Sequence, residues 1–129
     1  MLPQAVRSSQ RAAERLMVDS CTIERVTGVK VDPLTGMDVP TVESIYAGKC
    51  KVQLTRAQGS TVDASGYLAT IQDYELHIPV SAPTPHPGDV VTLTAAPGDP
   101  ERGGRQYRIT AVFEKTMQSA QRLTMERDT

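Results

Sequence analysis

The chain has 129 residues, of which 39% are hydrophobic, 22% charged and only 4% aromatic, and its formal net charge is -1. That length suits one domain, and near-neutrality argues against a general nucleic-acid binder, which carries a basic excess. No apolar run approaches the roughly 20 residues of a membrane-spanning helix, and residues 1–20 carry Arg7, Arg11 and Arg15 in place of the apolar stretch of a secretory leader. With no Trp and a single Phe, the core must be built from Val, Ile, Leu, Ala, Met and Tyr.

Charge is unevenly placed. Residues 1–30 hold five Lys/Arg against three Asp/Glu, residues 31–100 three against eight, and residues 101–129 six against four. A basic start, an acidic middle and a basic end would polarise the molecule, which suits head-to-tail contacts between proteins.

Residues 3–18 read as an amphipathic helix. Pro3 fits the first turn, and Ala5, Val6, Ala13, Leu16 and Met17 recur at three- and four-residue steps. Arg7, Arg11 and Arg15 step by four along the opposite face. From Cys21 the period changes to two, with Cys21 and Ile23 alternating with Thr22 and Glu24. Asp32-Pro33-Leu34-Thr35-Gly36 is a strong turn signal. Residues 41–47 read as a strand, Gly48 as a bend or bulge, and Lys49 to Leu54 as a strand with Cys50, Val52 and Leu54 on one side. The polar, Gly/Ser-rich stretch 55–66 reads as a long flexible loop.

Strand character resumes at Tyr67 to Ile71, and Tyr74, Leu76, Ile78 and Val80 then share a face. Residues 81–88 contain three prolines and cannot join a central strand. Further strands are predicted at Asp89 to Ala95, at Tyr107 to Phe113 and around Leu123 and Met125, with a loop over 96–104. The sum is a mainly β chain: one N-terminal helix over residues 1–19, then six to eight short strands over 20–129 forming a small antiparallel barrel or sandwich.

The search for chemistry returns little. Cys21 and Cys50 fall on apolar faces and read as buried, reduced thiols. His77 is in phase with Glu75 on a polar face, and His86 lies between two prolines. Together these four do not have zinc-ligand spacing. No Gly-x-Ser-x-Gly elbow exists, and Gly103-Gly104-Arg105 opens a strand and not a phosphate-binding helix. The expectation is a protein that is not an enzyme and holds no cofactor or metal. Two features remain as candidate surfaces. The Arg7/Arg11/Arg15 stripe could dock onto an acidic partner surface or onto phosphates. The 55–66 loop, with Arg56, Gln58, Ser60, Thr61, Asp63 and Ser65, could order on binding or narrow a channel.

In this order of elements the chain resembles the head-closure proteins of tailed phages, the head-to-tail stoppers of siphophages, and most of all those of actinobacteriophages. The resemblance is carried by Asp32-Pro33-Leu34-Thr35-Gly36, Tyr46-Ala47-Gly48-Lys49-Cys50-Lys51-Val52, Leu76-His77-Ile78-Pro79, Gly88-Asp89-Val90-Val91, Gly104-Arg105-Gln106-Tyr107-Arg108-Ile109 and Arg122-Leu123-Thr124-Met125-Glu126, over roughly residues 20–127. It implies a β-barrel subunit of a homo-oligomeric ring, usually twelvefold, in the virion neck, assembled in the host cytoplasm. Portal and adaptor proteins would lie above it, the tail terminator or tail tube below it. The ring would close the filled capsid, with packaged DNA in its lumen and no specific DNA binding. In some relatives a long loop after an early strand gates that lumen, and 55–66 is the candidate here. A tail-tube or tail-terminator component is the alternative within virions. A small oligonucleotide-binding barrel is the alternative outside them, although its stacking platforms need exposed aromatics.

Overall fold

A computed structural model describes the backbone of residues 3–62 and 68–128 and, within these, the side chains outside 55–72 and 128. The elements are α1 (Gln4–Arg15), β1 (Asp19–Val31), β2 (Asp38–Val62), β3 (Leu68–Ile78), β4 (Val90–Ala95), a 3-10 turn (Pro100–Arg102), β5 (Gln106–Phe113) and β6 (Gln121–Asp128). The fold is mainly β. The six strands are all antiparallel and close on themselves in the order β1-β2-β3-β6-β5-β4, a closed barrel preceded by one helix.

The core is the inward stripe of each strand. Cys21, Ile23, Cys50, Val52, Leu76, Ile78, Val91, Leu93, Tyr107, Ile109, Leu123 and Met125 form one buried cluster. These are the period-two positions that alternation predicts. Tyr107 is its largest member and meets Tyr74 edge-on, ring centroids 5.1 Å apart. Leu54 and Phe113, expected to face inward, are instead exposed. Leu54 keeps the phase of Cys50 and Val52 but pairs with Tyr74, the last β3 residue that β6 reaches, and so sits at the rim; a register shift between Ile109 and Ala111 brings Val112 against the core in place of Phe113. One inserted residue swaps the two faces of a strand.

Two strands are far longer than alternation suggests. The expected separate strands at 41–47 and 49–54 are one strand running straight through Gly48, which pairs with Cys21 without a local shift. The space beside Gly48 explains the glycine: a Cβ there would lie 2.7 Å from the Tyr46 hydroxyl. The strand also continues through residues 55–62, where the composition reads as a loop. Arg56, Gln58 and Thr61 pair with Asp73, Ile71 and Ala69 of β3, and Ser60 sits at a register shift. Asp63 and Ser65 lie outside the described residues. Likewise the strands expected at 67–71 and 74–80 are the single β3, which ends at Ile78, and Val80 is in a turn. Before Tyr74 no third strand pairs with this ribbon among the described residues, and a two-stranded ribbon needs no apolar alternation, so its strands leave little trace in a hydrophobic pattern.

β2 pairs with β1 over residues 38–50 and with β3 over residues 51–62. β4 covers β1 only from Ser20 to Glu24. The β1–β2 hairpin beyond Glu24 therefore overruns the wall at one end of β2, and the β2–β3 hairpin overruns it at the other.

α1 is shorter than the expected 3–18 and buries none of its residues. Its half-buried positions are Val6, Gln10, Ala13 and Glu14, while Ala5 and Leu16, expected on the apolar face, are exposed. Met17, just past the helix, is the buried anchor. Gln10 Nε2 donates to the Gln118 carbonyl at 3.4 Å, and Lys49 Nζ meets Glu14 Oε1 at 3.1 Å.

Candidate functional site

Arg7, Arg11 and Arg15 are all exposed along α1. Arg7 reaches Gln4 Oε1 at 3.4 Å, a contact within the helix itself. Glu14, on the inward side, is engaged by Lys49. The stripe is thus a solvent-facing row of cations beside the exposed side chains of Leu16 and Val18.

The second surface was not anticipated. Beyond Glu24 the β1–β2 hairpin is a free-standing arm ending in the turn that Asp32 and Gly36 make. Gly36 N–H donates to the Asp32 carbonyl at 2.7 Å, Leu34 N–H donates to Asp32 Oδ1 at 2.9 Å, and Gly36 takes φ 70°. Seven large hydrophobic side chains of this arm are exposed: Val26, Val29, Val31, Leu34, Met37, Val39 and Val42. The register pairs Val26 with Val42, Val29 with Pro40 and Val31 with Asp38, which places Val26, Val29, Val31, Asp38, Pro40 and Val42 on one face and Val39 and Glu43 on the other. The sequence held the signal, a Val/Pro-rich hairpin around an Asp-Pro-Leu-Thr-Gly turn. It could not say that none of the described residues covers it.

Charged residues at core phase hold the barrel's ends. Asp19, Cys21, Ile23 and Arg25 alternate on one side of β1, so the apolar stripe is bracketed by two charges. Each finds an opposite partner. Arg25 binds Asp89 through two hydrogen bonds of 3.0 Å, and His86 N–H donates to the same carboxylate at 2.8 Å. Burial alone would raise the Asp89 carboxyl, but the Arg25 guanidinium and the His86 amide hold it below its ordinary value. This clamp fixes the root of the arm to the turn before β4. At the other end Arg102 Nη2 donates to Asp19 Oδ2 at 3.1 Å. Gln121, in phase with Leu123 and Met125, is buried and donates its amide to the carbonyls of Pro79, Val80 and Ala82.

A groove of about 550 Å³ runs between α1 and the barrel wall, lined by Ser9, Glu75, Phe113, Met117, Ala120 and Arg122 among others. Glu75 is already engaged there by the His77 ring. His86 is exposed in its proline-flanked turn. Cys21 and Cys50 are free, buried thiols. A hydrogen bond with Cys21, and burial after it, push the Cys50 thiol far up, which leaves no thiolate to act as a nucleophile near neutrality. Burial pushes the Tyr46 hydroxyl up to about 12, and it donates to the Lys49 carbonyl at 2.7 Å. Among the described residues no group of three or more His, Cys, Asp or Glu is placed to hold a metal, and no helix is long and apolar enough to cross a membrane.

These features define a small closed-barrel β protein with a lightly attached helix and two hairpin extensions. The chain belongs to DUF6093, a family of unknown function, whose model matches residues 9–126. No curated protein and no solved structure matches it.

Proposed function

We propose that this chain is a structural subunit of a phage neck, a head-to-tail stopper that assembles as a ring, closes the DNA-filled capsid and offers the tail its attachment surface. The observation that carries this reading is the single 25-residue strand β2. It crosses the barrel wall and enters one hairpin extension at each end, so one subunit presents a protruding element in two opposite directions. That is what a subunit joining two stacked layers needs. The resemblance of residues 20–127 to head-closure proteins supports the same reading. So does the distribution of aromatics: among the described residues Tyr107 is buried in the core and Tyr74 packs against it, which leaves Phe113 as the exposed ring, whereas a single-strand-binding barrel stacks successive bases on several.

The β2–β3 extension carrying Arg56, Gln58, Ser60 and Thr61 is the candidate lumen element, and the Arg7/Arg11/Arg15 stripe the candidate docking surface. The test is genetic. Particles assembled without the chain should accumulate as complete tails and separate heads that lose their DNA. Tails of irregular length would instead indicate a terminator. Infectious tailed particles lacking the chain would overturn the proposal.

A further inference from the structure

The exposed apolar arm and the exposed basic helix are two unpartnered surfaces at opposite ends of one strand. α1 leads directly into Asp19, the start of β1, and the arm turn begins directly after Val31, its end. The arm leaves the wall after Glu24, so the six strand residues 19–24 separate the two surfaces, about 20 Å at a rise of 3.2–3.4 Å per residue, and α1 makes its contacts with Lys49 and Gln118 at the Asp19 end.

The two surfaces are complementary. Between Val26 and Glu43 the arm holds one cation, Lys30, against Asp32, Asp38 and Glu43. Arg25 at its root is committed to Asp89. The helix holds Arg7, Arg11 and Arg15, and its only acid, Glu14, is neutralised by Lys49. Each surface adds apolar contacts: the valine face with Leu34 and Met37 on the arm, Leu16 and Val18 beside the helix.

We infer that the β1–β2 arm of one copy docks, valine face inward, on the α1 surface of a second copy, with Asp38 on that face meeting the Arg7, Arg11 and Arg15 stripe. Such a contact joins different surfaces of identical chains. It is heterologous, and repeated around an axis it generates a ring. The inference rests on the ring reading above and assigns it a subunit contact.

Two charge-reversed chains test it. One carries Arg7→Glu, Arg11→Glu and Arg15→Glu; the other carries Asp38→Lys. All four side chains are exposed, and unchanged thermal melts establish that both variants fold. By sedimentation at high protein concentration the wild-type chain should self-associate, and each variant alone should associate at least about tenfold more weakly. Mixed in equal amounts they should recover wild-type association, because every arm then meets a helix of opposite charge. Variants that assemble alone as well as wild type, a mixture that stays dissociated, or a wild-type chain that remains monomeric at its highest soluble concentration would each overturn the inference. None of these outcomes depends on where the assembly acts, so an arm–helix contact in a chain dispensable for virions would separate this inference from the stopper reading.

Discussion

Gln121→Glu replaces one atom and inverts the chemistry of the barrel's polar plug. The Gln121 amide nitrogen lies 3.3, 3.3 and 2.6 Å from the carbonyl oxygens of Pro79, Val80 and Ala82, and the residue is 4% exposed. An amide has two hydrogens for these three acceptors, so the site is worth two hydrogen bonds, one of them shared. At about 1 kcal/mol net each, Gln121→Met, similar in length, should cost about 2 kcal/mol. Gln121→Glu puts an anion against three carbonyl dipoles with no cation among the contacts, and an uncompensated buried charge costs about 3–5 kcal/mol. The new carboxyl escapes only by staying protonated, so its folded value rises above the unfolded Glu value of about 4.3. A raised folded value gives full stability below the unfolded value and loses it as pH rises through the folded one. Urea unfolding followed by far-UV circular dichroism should therefore show Gln121→Glu close to Gln121→Met at pH 4.5 and markedly weaker at pH 8. Equal stabilities at pH 8, or a gap that ignores pH, would refute the plug geometry.

Two further outcomes follow from the side-chain geometry. Asp89 has its folded value lowered, so its contribution is present above the unfolded carboxylate value and lost as pH falls through the folded one. Urea midpoints of the wild type and Asp89→Asn should accordingly differ at pH 7 and converge toward pH 3, whereas a constant gap would show that the Arg25 clamp contributes nothing. Gly48→Ala sets a methyl 2.7 Å from the Tyr46 hydroxyl, which should displace the ring, break its bond to the Lys49 carbonyl and cost about 1–2 kcal/mol. Combining it with Tyr46→Ala should cost less than the two single changes added, and strict additivity in denaturation would rule out the steric account.

The barrel was legible wherever one face of a strand meets the core. Cys21 and Ile23, Leu76 and Ile78, Val91 and Leu93, and Leu123 and Met125 all stand where period-two alternation puts them. Alternation failed where a register shift changes the phase, as between Ile109 and Ala111, and where two strands pair with each other past the reach of a third, as at residues 55–62. The arm illustrates the limit from the other side. Its turn was evident from Asp32 to Gly36, but the valines flanking it look like core valines, and only the short reach of β4 leaves them outside. Asp19, Arg25 and Gln121 were readable in principle: a polar residue in core phase implies a buried partner. The partners themselves, Arg102, Asp89 and the carbonyls after β3, lie between 39 and 83 residues away, a separation no local pattern spans.

The composition of the arm also separates face docking from strand addition. Among the described residues no third strand pairs with 25–31 or with 38–43, so both outer edges present backbone groups to any passing strand. Exposed edges of this kind invite indiscriminate pairing unless they are blunted. Here they are: Pro40 removes a donor from β2, a register shift between Val26 and Gly28 bends β1, and Lys30 charges it. The valine face carries a single charge, Asp38. What the arm protects is its edges, and what it offers is its surface. A partner that packs side chains onto that face, as the helix of a second copy would, fits this chemistry better than a strand that extends the sheet. Substituting Pro40 by Val should therefore promote irregular association without strengthening the arm–helix contact, and light scattering beside sedimentation distinguishes the two. A Pro40→Val chain that forms the same assembly as wild type, only more tightly, would mean that the edge and not the face is the recognition surface.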